Sequence, residues 1–382
     1  MKAPPSIETI SPAEALRRHR AGAVLVDVRE SHERVTGHAA GALGIAKALL
    51  EADPHAALPD RDVEVLLICE LGGRSQNAAE GLRAAGYTCV VSVDGGTRRW
   101  IAEGLPTERP EMAGIDVDFH DRYSRHLRLP EVGDAGQRKL QAARVAMVGA
   151  GGLGSPAAFY LAAAGVGTLV LADDDIVDRS NLQRQILHTD ARIGMSKVES
   201  ARIALSALNP AISIEAFVER VGANNVEQLI HDADVVIDGA DNFPARYLLN
   251  DACVKLGKPL VYGAVHRFEG QVSVFDAGRQ RGVAPCYRCL FPEPPPPEAA
   301  PNCAEAGVLG VLPGVIGLLQ ATEAIKLILG IGDSLAGRLL QFDALAMRFR
   351  ETRLTADPDC PMCAAGRTFP GYIDYQQFCS GQ

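Results

Sequence analysis

Arg144-Val-Ala-Met-Val-Gly-Ala-Gly-Gly-Leu-Gly-Ser-Pro-Ala-Ala-Phe-Tyr-Leu-Ala-Ala-Ala-Gly165 is the stretch on which the fold turns. Residues 144–148 read as a buried strand, and 155–165 as a buried helix rich in alanine. Between them stand Gly149, Gly151, Gly152 and Gly154 in a Gly-x-Gly-x-x-Gly spacing. The first glycine of such a turn permits the tight bend, and the second lets a phosphate approach the backbone. The last lets the helix pack close to the sheet. Amides at the helix start then face an anion. Asp173 lies 24 residues beyond Gly149, at the end of the next strand, where a carboxylate can accept a ribose hydroxyl. On these residues alone a dinucleotide and ATP are equally admissible, and an NAD-dependent oxidoreductase is one reading.

Working outward, strand-like 168–172 and 235–239 alternate with helix-like 196–209 and 245–256. The pattern then changes: 260–265, 270–275 and 339–349 read as strands with little helix between the first two. A Rossmann-like parallel half followed by a mixed-sheet half fits this order. Residues 291–302, with four consecutive prolines from Pro294, predict an extended surface crossover. Ahead of this block, helix-like 11–20 and 75–86 alternate with strand-like 24–29, 65–69 and 89–93, which predicts a second, small parallel α/β domain. A poorly patterned stretch with Pro106, Pro110 and Gly114 separates the two. The expected organisation is a domain over 4–106, a linker over 107–118, a second domain over 119–366 and a tail over 367–382.

A net charge of -9 argues against nucleic acid or an anionic membrane as the main partner, since both select a basic face. Residues 1–10 hold one lysine and no apolar run, which predicts a cytoplasmic chain without a secretion signal. The longest apolar stretch, 308–331, contains Pro313, Gln320, Glu323 and Lys326. A buried helix is expected there rather than a membrane span.

Beyond the glycine turn, Ser180, Asn181, Leu182, Gln183, Arg184 and Gln185 follow an acidic segment, Asp173-Asp-Asp175. Lys197 opens a helix, and Asp241 and Asn242 close the strand 235–239. Arginine and lysine suit a triphosphate, and a carboxylate at a strand's C-terminal edge suits Mg²⁺. Nicotinamide chemistry needs none of this, so triphosphate chemistry is favoured.

Nine cysteines, an odd number, point to metal binding or thiol chemistry rather than a disulfide scaffold. Cys286-x-x-Cys289 and Cys360-x-x-Cys363 form two thiolate pairs, the donor set of a tetrahedral Zn²⁺ site. Cys253 and Cys89 are expected in the core, and Cys379 carries no reading. Cys69-Glu-Leu-Gly-Gly-Arg-Ser75 follows a strand and opens a helix. Successive amides in such a loop make an anion nest, with Arg74 expected to help hold a thiolate or persulfide at Cys69.

From about residue 122 to 365 the chain resembles the MoeB/ThiF family, bacterial relatives of ubiquitin-activating enzymes. The matching elements are Arg122-Tyr-Ser-Arg125, the glycine turn, 180–185, Lys197, Asp241-Asn242, Pro285-Cys-Tyr-Arg-Cys289 and Asn302-Cys-Ala-Glu305. The resemblance implies adenylation, by Mg-ATP, of a ubiquitin-like sulfur-carrier protein ending in Gly-Gly. It implies phosphates at Gly152, ribose at Asp173 and triphosphate at Asn181, Arg184 and Lys197. It also implies Mg²⁺ at Asp241, structural zinc at the four cysteines, and a homodimer in which Arg125 serves the partner subunit's ATP. Cys303 matches the family's reactive-cysteine position. Residues 24–29, Gly37-His-Ala-Ala-Gly41, the Cys69 loop and Asp94-Gly-Gly96 ahead of Trp100 resemble a single rhodanese domain. That implies Cys69 as the persulfide-carrying residue, charged by a persulfide or thiosulfate donor. The same residues leave room for a domain that serves only as a docking module.

Overall fold

Short apolar runs bounded by glycine and aspartate become the parallel strands of the first sheet in the computed structural model, which describes residues 7–35, 37–109, 117–295 and 307–380. The chain divides into two compact units between Pro130 and Glu131. In the first unit β1 (Glu8–Ile10), β2 (Val24–Asp27), β4 (Leu43–Gly44), β5 (Val65–Ile68) and β6 (Val90–Val93) form a parallel sheet in the order β1-β6-β5-β2-β4. Its central strands β5 and β6 are buried throughout, as a sheet covered on both faces requires. β3 (His38–Ala39) pairs antiparallel with β7 (Thr107–Glu108). The expected linker therefore begins later than its composition suggests. Pro106 offers its carbonyl to the Trp100 indole and the Ala40 amide, which ties 106–108 to the first unit. Residues 119–130, expected at the start of the second domain, also group with this unit, and Arg128 reaches Glu33 at 2.6 Å.

The second unit is an eight-stranded sheet. Its strands are β8 (Arg144–Val148), β9 (Thr168–Ala172), β10 (Ser213–Phe217), β11 (Val235–Asp238), β12 (Leu260–His266), β13 (Glu269–Phe275), β14 (Arg338–Asp343) and β15 (Arg348–Arg353). The order is β10-β9-β8-β11-β12-β13-β14-β15, parallel through β12 and antiparallel beyond it. Residues 339–349, expected as one strand, are the two arms of a hairpin. Asp343 accepts the amides of Leu345 and Ala346 at the turn, and Met347 takes a positive φ there. The apolar character of Leu345, Met347 and Phe349 hid that turn, although all three are exposed.

Helix Val311–Leu329 is long and apolar enough to cross a bilayer, but it packs in the core. Leu312, Ile316, Ala321 and Ala324 join the cluster around β8, β11 and β12. The Gln320 amide donates to the carbonyls of Asp238 and Val261, at 2.7 and 3.1 Å. Glu323 accepts from Lys326 and from the Leu335 amide. These polar residues lock a core helix, which is the reading their cost in lipid suggested. The tail after 366, for which sequence offered no structure, holds a helix, Tyr375–Ser380, started by Asp374 accepting two amides at 3.0 Å.

Candidate functional site

Two constellations stand at the C-terminal ends of the parallel strands. In the second unit the turn after β8 is shaped by its glycines. Gly149 takes φ +99°, and a Cβ there would lie 2.4 Å from the Gly239 carbonyl. A Cβ on Gly154 would lie 2.1 Å from the Gly149 carbonyl, so this residue serves packing rather than ligand contact. Gly151 faces open space except for Gln185, 3.6 Å from its would-be Cβ. The buried His188 imidazole braces the turn, with Nε2 on the Ala150 carbonyl at 3.0 Å and Nδ1 on the Ser200 hydroxyl at 2.9 Å. Burial pushes its pKa down to about 4, so the ring is neutral at physiological pH. No sequence signal marked His188, because an isolated histidine shows its role only through its neighbours.

A cleft of about 1510 Å³ opens over this turn. Gly149, Gly151, Gly152, Asp173, Arg184, Gln185, Lys197, Asp241 and Asn242, all singled out in the sequence, line it. The Asp173 carboxylate accepts the Ala150 and Asp175 amides at 2.8 and 2.9 Å. Burial raises its pKa, against the nearby Lys197 ammonium. Lys197 is buried and bonds Asp175 at 2.7 Å. Asn181 Oδ1 accepts from both Arg184 and Gln185, at 3.0 and 3.1 Å, so it positions those two side chains. Gln185 is 4% exposed, and its Oε1 has no partner among the described residues, which suits a ligand donor. Ser180, Leu182 and Gln183 are not among the residues lining the cleft; the Ser180 hydroxyl turns to Asp178 at 2.6 Å. Asn242 caps helix Phe243–Leu256 through the Ala245 amide, leaving Asp241 exposed at the strand end. Arg125 belongs to the first unit, and Cys303 lies outside the described residues.

One pair escaped the sequence reading. Asp238 is buried beneath the cleft with Arg246, whose Nε stands 3.6 Å from its carboxylate. Burial raises Asp238 to about 6, opposed by Arg246. Arg246 also reaches the carbonyls of Ala240 and Gly263 and lies over the Phe243 and Tyr262 rings.

The four sulfurs of Cys286, Cys289, Cys360 and Cys363 lie within 4.8 Å of one another. Measured separations of 3.4, 3.7 and 3.9 Å match the edge of about 3.8 Å for a tetrahedron with 2.3 Å zinc–sulfur bonds. The Asp357 amide donates to Cys289 Sγ at 3.4 Å, the kind of bond that steadies a metal-bound thiolate. Cys253 is buried as expected; Cys89 is exposed, because it lies just before β6 rather than in it.

In the first unit Cys69 follows β5 at 1% exposure. The Gly72 amide donates to its sulfur at 3.1 Å, and the Ser75 hydroxyl stands 3.5 Å away. Burial alone would raise the thiol's pKa. The Ser75 hydroxyl and the amides of Ser75, Leu71 and Gly72 overcome it and hold the pKa below its ordinary value. Arg74 does not bond the sulfur: its guanidinium forks onto the buried Glu33 at 2.7 and 2.8 Å. Glu33 wins it because a buried carboxylate needs a cation, whereas the loop amides already satisfy the sulfur. Gly96 lets the next loop approach, since a Cβ there would lie 2.1 Å from the Cys69 carbonyl.

The fold and the two sites define an adenylyltransferase joined to a rhodanese-like unit. The ThiF family matches residues 123–362 and the rhodanese-like domain residues 11–103, and the chain belongs to the ThiF family. It is 51% identical over 267 residues to the SAMP-activating enzyme E1 of Haloferax volcanii, covering 70% of this chain and 97% of that protein. It is 51% identical over 260 residues to the sulfur carrier protein adenylyltransferase of Thermus thermophilus, covering 68% and 96%. It is 49% identical over 279 residues to the probable adenylyltransferase/sulfurtransferase MoeZ of Mycobacterium tuberculosis, covering 73% and 70%. The fold is shared with the microcin C7 biosynthetic enzyme MccB in complex with N-formylated MccA, at TM-score 0.56 and 21% identity over 65% of this chain and 77% of that one. The oxidoreductase reading is set aside.

Proposed function

We propose that the second unit adenylates the C-terminal glycine of a ubiquitin-like sulfur carrier ending in Gly-Gly, and that Cys69 delivers sulfur to it as a persulfide. The observation that carries the first step is the convergence of Arg184, Lys197 and Asp241 on the cleft above the glycine turn. The carrier carboxylate is ionised at neutral pH and needs no general base. It attacks the α-phosphorus of ATP, the bond to the bridging oxygen breaks, and pyrophosphate leaves with the electron pair. Lys197 and Arg184 hold the triphosphate oxygens as charge moves onto them. Asp173 takes the ribose, and the phosphates lie along the glycine turn at Gly152, which lines the cleft. Asp241 would hold Mg²⁺, which when bound would supply charge neutralisation for the departing pyrophosphate. The four cysteines would hold a structural Zn²⁺, leaving no open position on the metal.

In the second step the outer sulfur of a Cys69 persulfide attacks the acyl carbon and AMP leaves. The product is an acyl disulfide. A thiolate must then attack the Cys69 sulfur and expel the carrier thiocarboxylate; if Cys303, the chain's own candidate, does so, a Cys69–Cys303 disulfide forms, which an external dithiol reduces before Cys69 is charged again. The amide nest suits the persulfide because each N–H stabilises negative sulfur without supplying a competing proton. Thiosulfate or a protein persulfide charges Cys69. The working species is a cytoplasmic homodimer, with Arg125 serving the partner subunit's nucleotide. The test is carrier-dependent exchange of pyrophosphate into ATP by the full chain; no exchange with any Gly-Gly carrier would overturn the reading.

A further inference from the structure

The cleft is larger than the 300–1,000 Å³ or so of an ordinary small-molecule site, at about 1510 Å³. Part of its wall lies beyond the family match, which ends at residue 362. Ile373, Gln376, Cys379 and Ser380, from the C-terminal tail, share the cavity with Lys197 and Asp241. The tail is anchored there by a buried clamp. Arg288 forks onto Asp251 at 2.8 and 2.8 Å, and the Tyr375 hydroxyl donates to the same carboxylate at 2.8 Å. The Arg288 guanidinium packs against the Tyr247 and Phe378 rings, 4.8 and 5.0 Å from their centroids. Asp251, Arg288 and Tyr375 are 1%, 8% and 7% exposed. Removing Arg288 or Asp251 would leave the other's buried charge uncompensated, and the Tyr375 hydroxyl ties the helix to that pair.

We propose that helix Tyr375–Ser380 is part of the substrate site, a wall along which the carrier's C-terminal peptide lies, and that Arg288 is the positioning residue that holds it. This deepens the adenylation reading and rests on it. A terminal Gly-Gly offers only backbone amides and a carboxylate. Gln376 and Ser380 supply neutral hydrogen-bonding groups on that wall, and Asp374, the tail's carboxylate on the cavity, is engaged by the Gln376 and Gln377 amides at 3.0 Å. The residues assigned to the nucleotide line only part of this cavity.

The test uses the full chain and a Gly-Gly carrier on which the wild-type protein supports pyrophosphate exchange; absence of such a carrier would count against the adenylation reading instead. Gln376 is exposed, so Gln376→Trp adds bulk to the cavity without disturbing the core. It is expected to raise the KM for carrier about tenfold while the KM for ATP stays within about twofold. Arg288→Lys keeps the charge but loses the fork; it should raise the carrier KM similarly and speed alkylation of the half-buried Cys379. The Cys379 rate reports wall position without reference to activity. An unchanged carrier KM in Gln376→Trp overturns the proposal, as does an unchanged carrier KM in an Arg288→Lys protein whose Cys379 has become reactive.

Discussion

The Cys69 loop and the Gly149 turn are built alike and used oppositely. Each leaves a parallel strand, bends through glycines and enters a helix whose first amides face a concavity. In the first unit the concavity is filled by the protein's own sulfur, at 1% exposure, with the Gly72 amide and Ser75 hydroxyl on it. In the second it stays open, and cations reach it from elsewhere: Arg184 from the loop after β9 and Lys197 from the next helix. Backbone amides suffice for one negative sulfur. A triphosphate carries several charges and must shed pyrophosphate, so fixed cations are added. Arg74 marks the contrast, since the one cation in the sulfur loop is spent on Glu33.

The largest effect that can break this comparison is at Cys69. Cys69→Ala should abolish thiosulfate-dependent thiocarboxylate formation and leave pyrophosphate exchange intact. Mass spectrometry of the carrier, in sulfide-free buffer, reads whether oxygen has been replaced by sulfur; undiminished product would make the first unit a docking module. Next come the cations of the open site. Lys197→Ala, Arg184→Ala and Asp241→Ala should each lower exchange by about 10²-fold or more, the scale of one transition-state charge partner. Persulfide loading of Cys69 should be untouched in all three, and wild-type exchange in them would remove the distinction drawn here.

Chelating the metal sharpens the contrast between chemistry and scaffold. Removing Zn²⁺ from the four cysteines should destabilise the second unit by on the order of several kcal/mol, because metal binding is coupled to folding. A protein purified without zinc, with four freely alkylated thiols and unchanged melting, would contradict this. A smaller effect belongs to His188. Its folded pKa of about 4 lies below the unfolded value of 6.5, so the unfolded chain binds more protons between them. Its contribution is therefore complete above about pH 6.5 and is lost as pH falls toward 4, amounting to at most about 3 kcal/mol. Urea unfolding across that range should show the slope in wild type and a reduced slope in His188→Gln. The smallest effect is at Ser75. Ser75→Ala removes a hydrogen bond to the thiolate, so the Cys69 pKa rises and alkylation at neutral pH slows about threefold. A pH–rate profile that does not move upward would leave the backbone amides as the whole cradle.

Much was legible in the chain itself. Periodicity and glycine spacing marked the strand, turn and helix at 144–165, because each glycine answers a local backbone requirement that only glycine meets. The cysteine pairs were legible because Cys-x-x-Cys stands twice in the sequence, and the fold brings the four sulfurs within 4.8 Å of one another. What required tertiary structure were the roles created by neighbours distant in sequence. Arg74 was turned from the sulfur by Glu33, 41 residues away. Residues 339–349 looked like one strand, since the hairpin turn within them is made by Asp343 hydrogen bonds rather than by glycine. His188, Asp238 with Arg246, and the tail held by Asp251 and Arg288 left no local pattern at all. A sequence records what each backbone segment needs; burial and charge pairing between segments are decided only when the chain closes on itself.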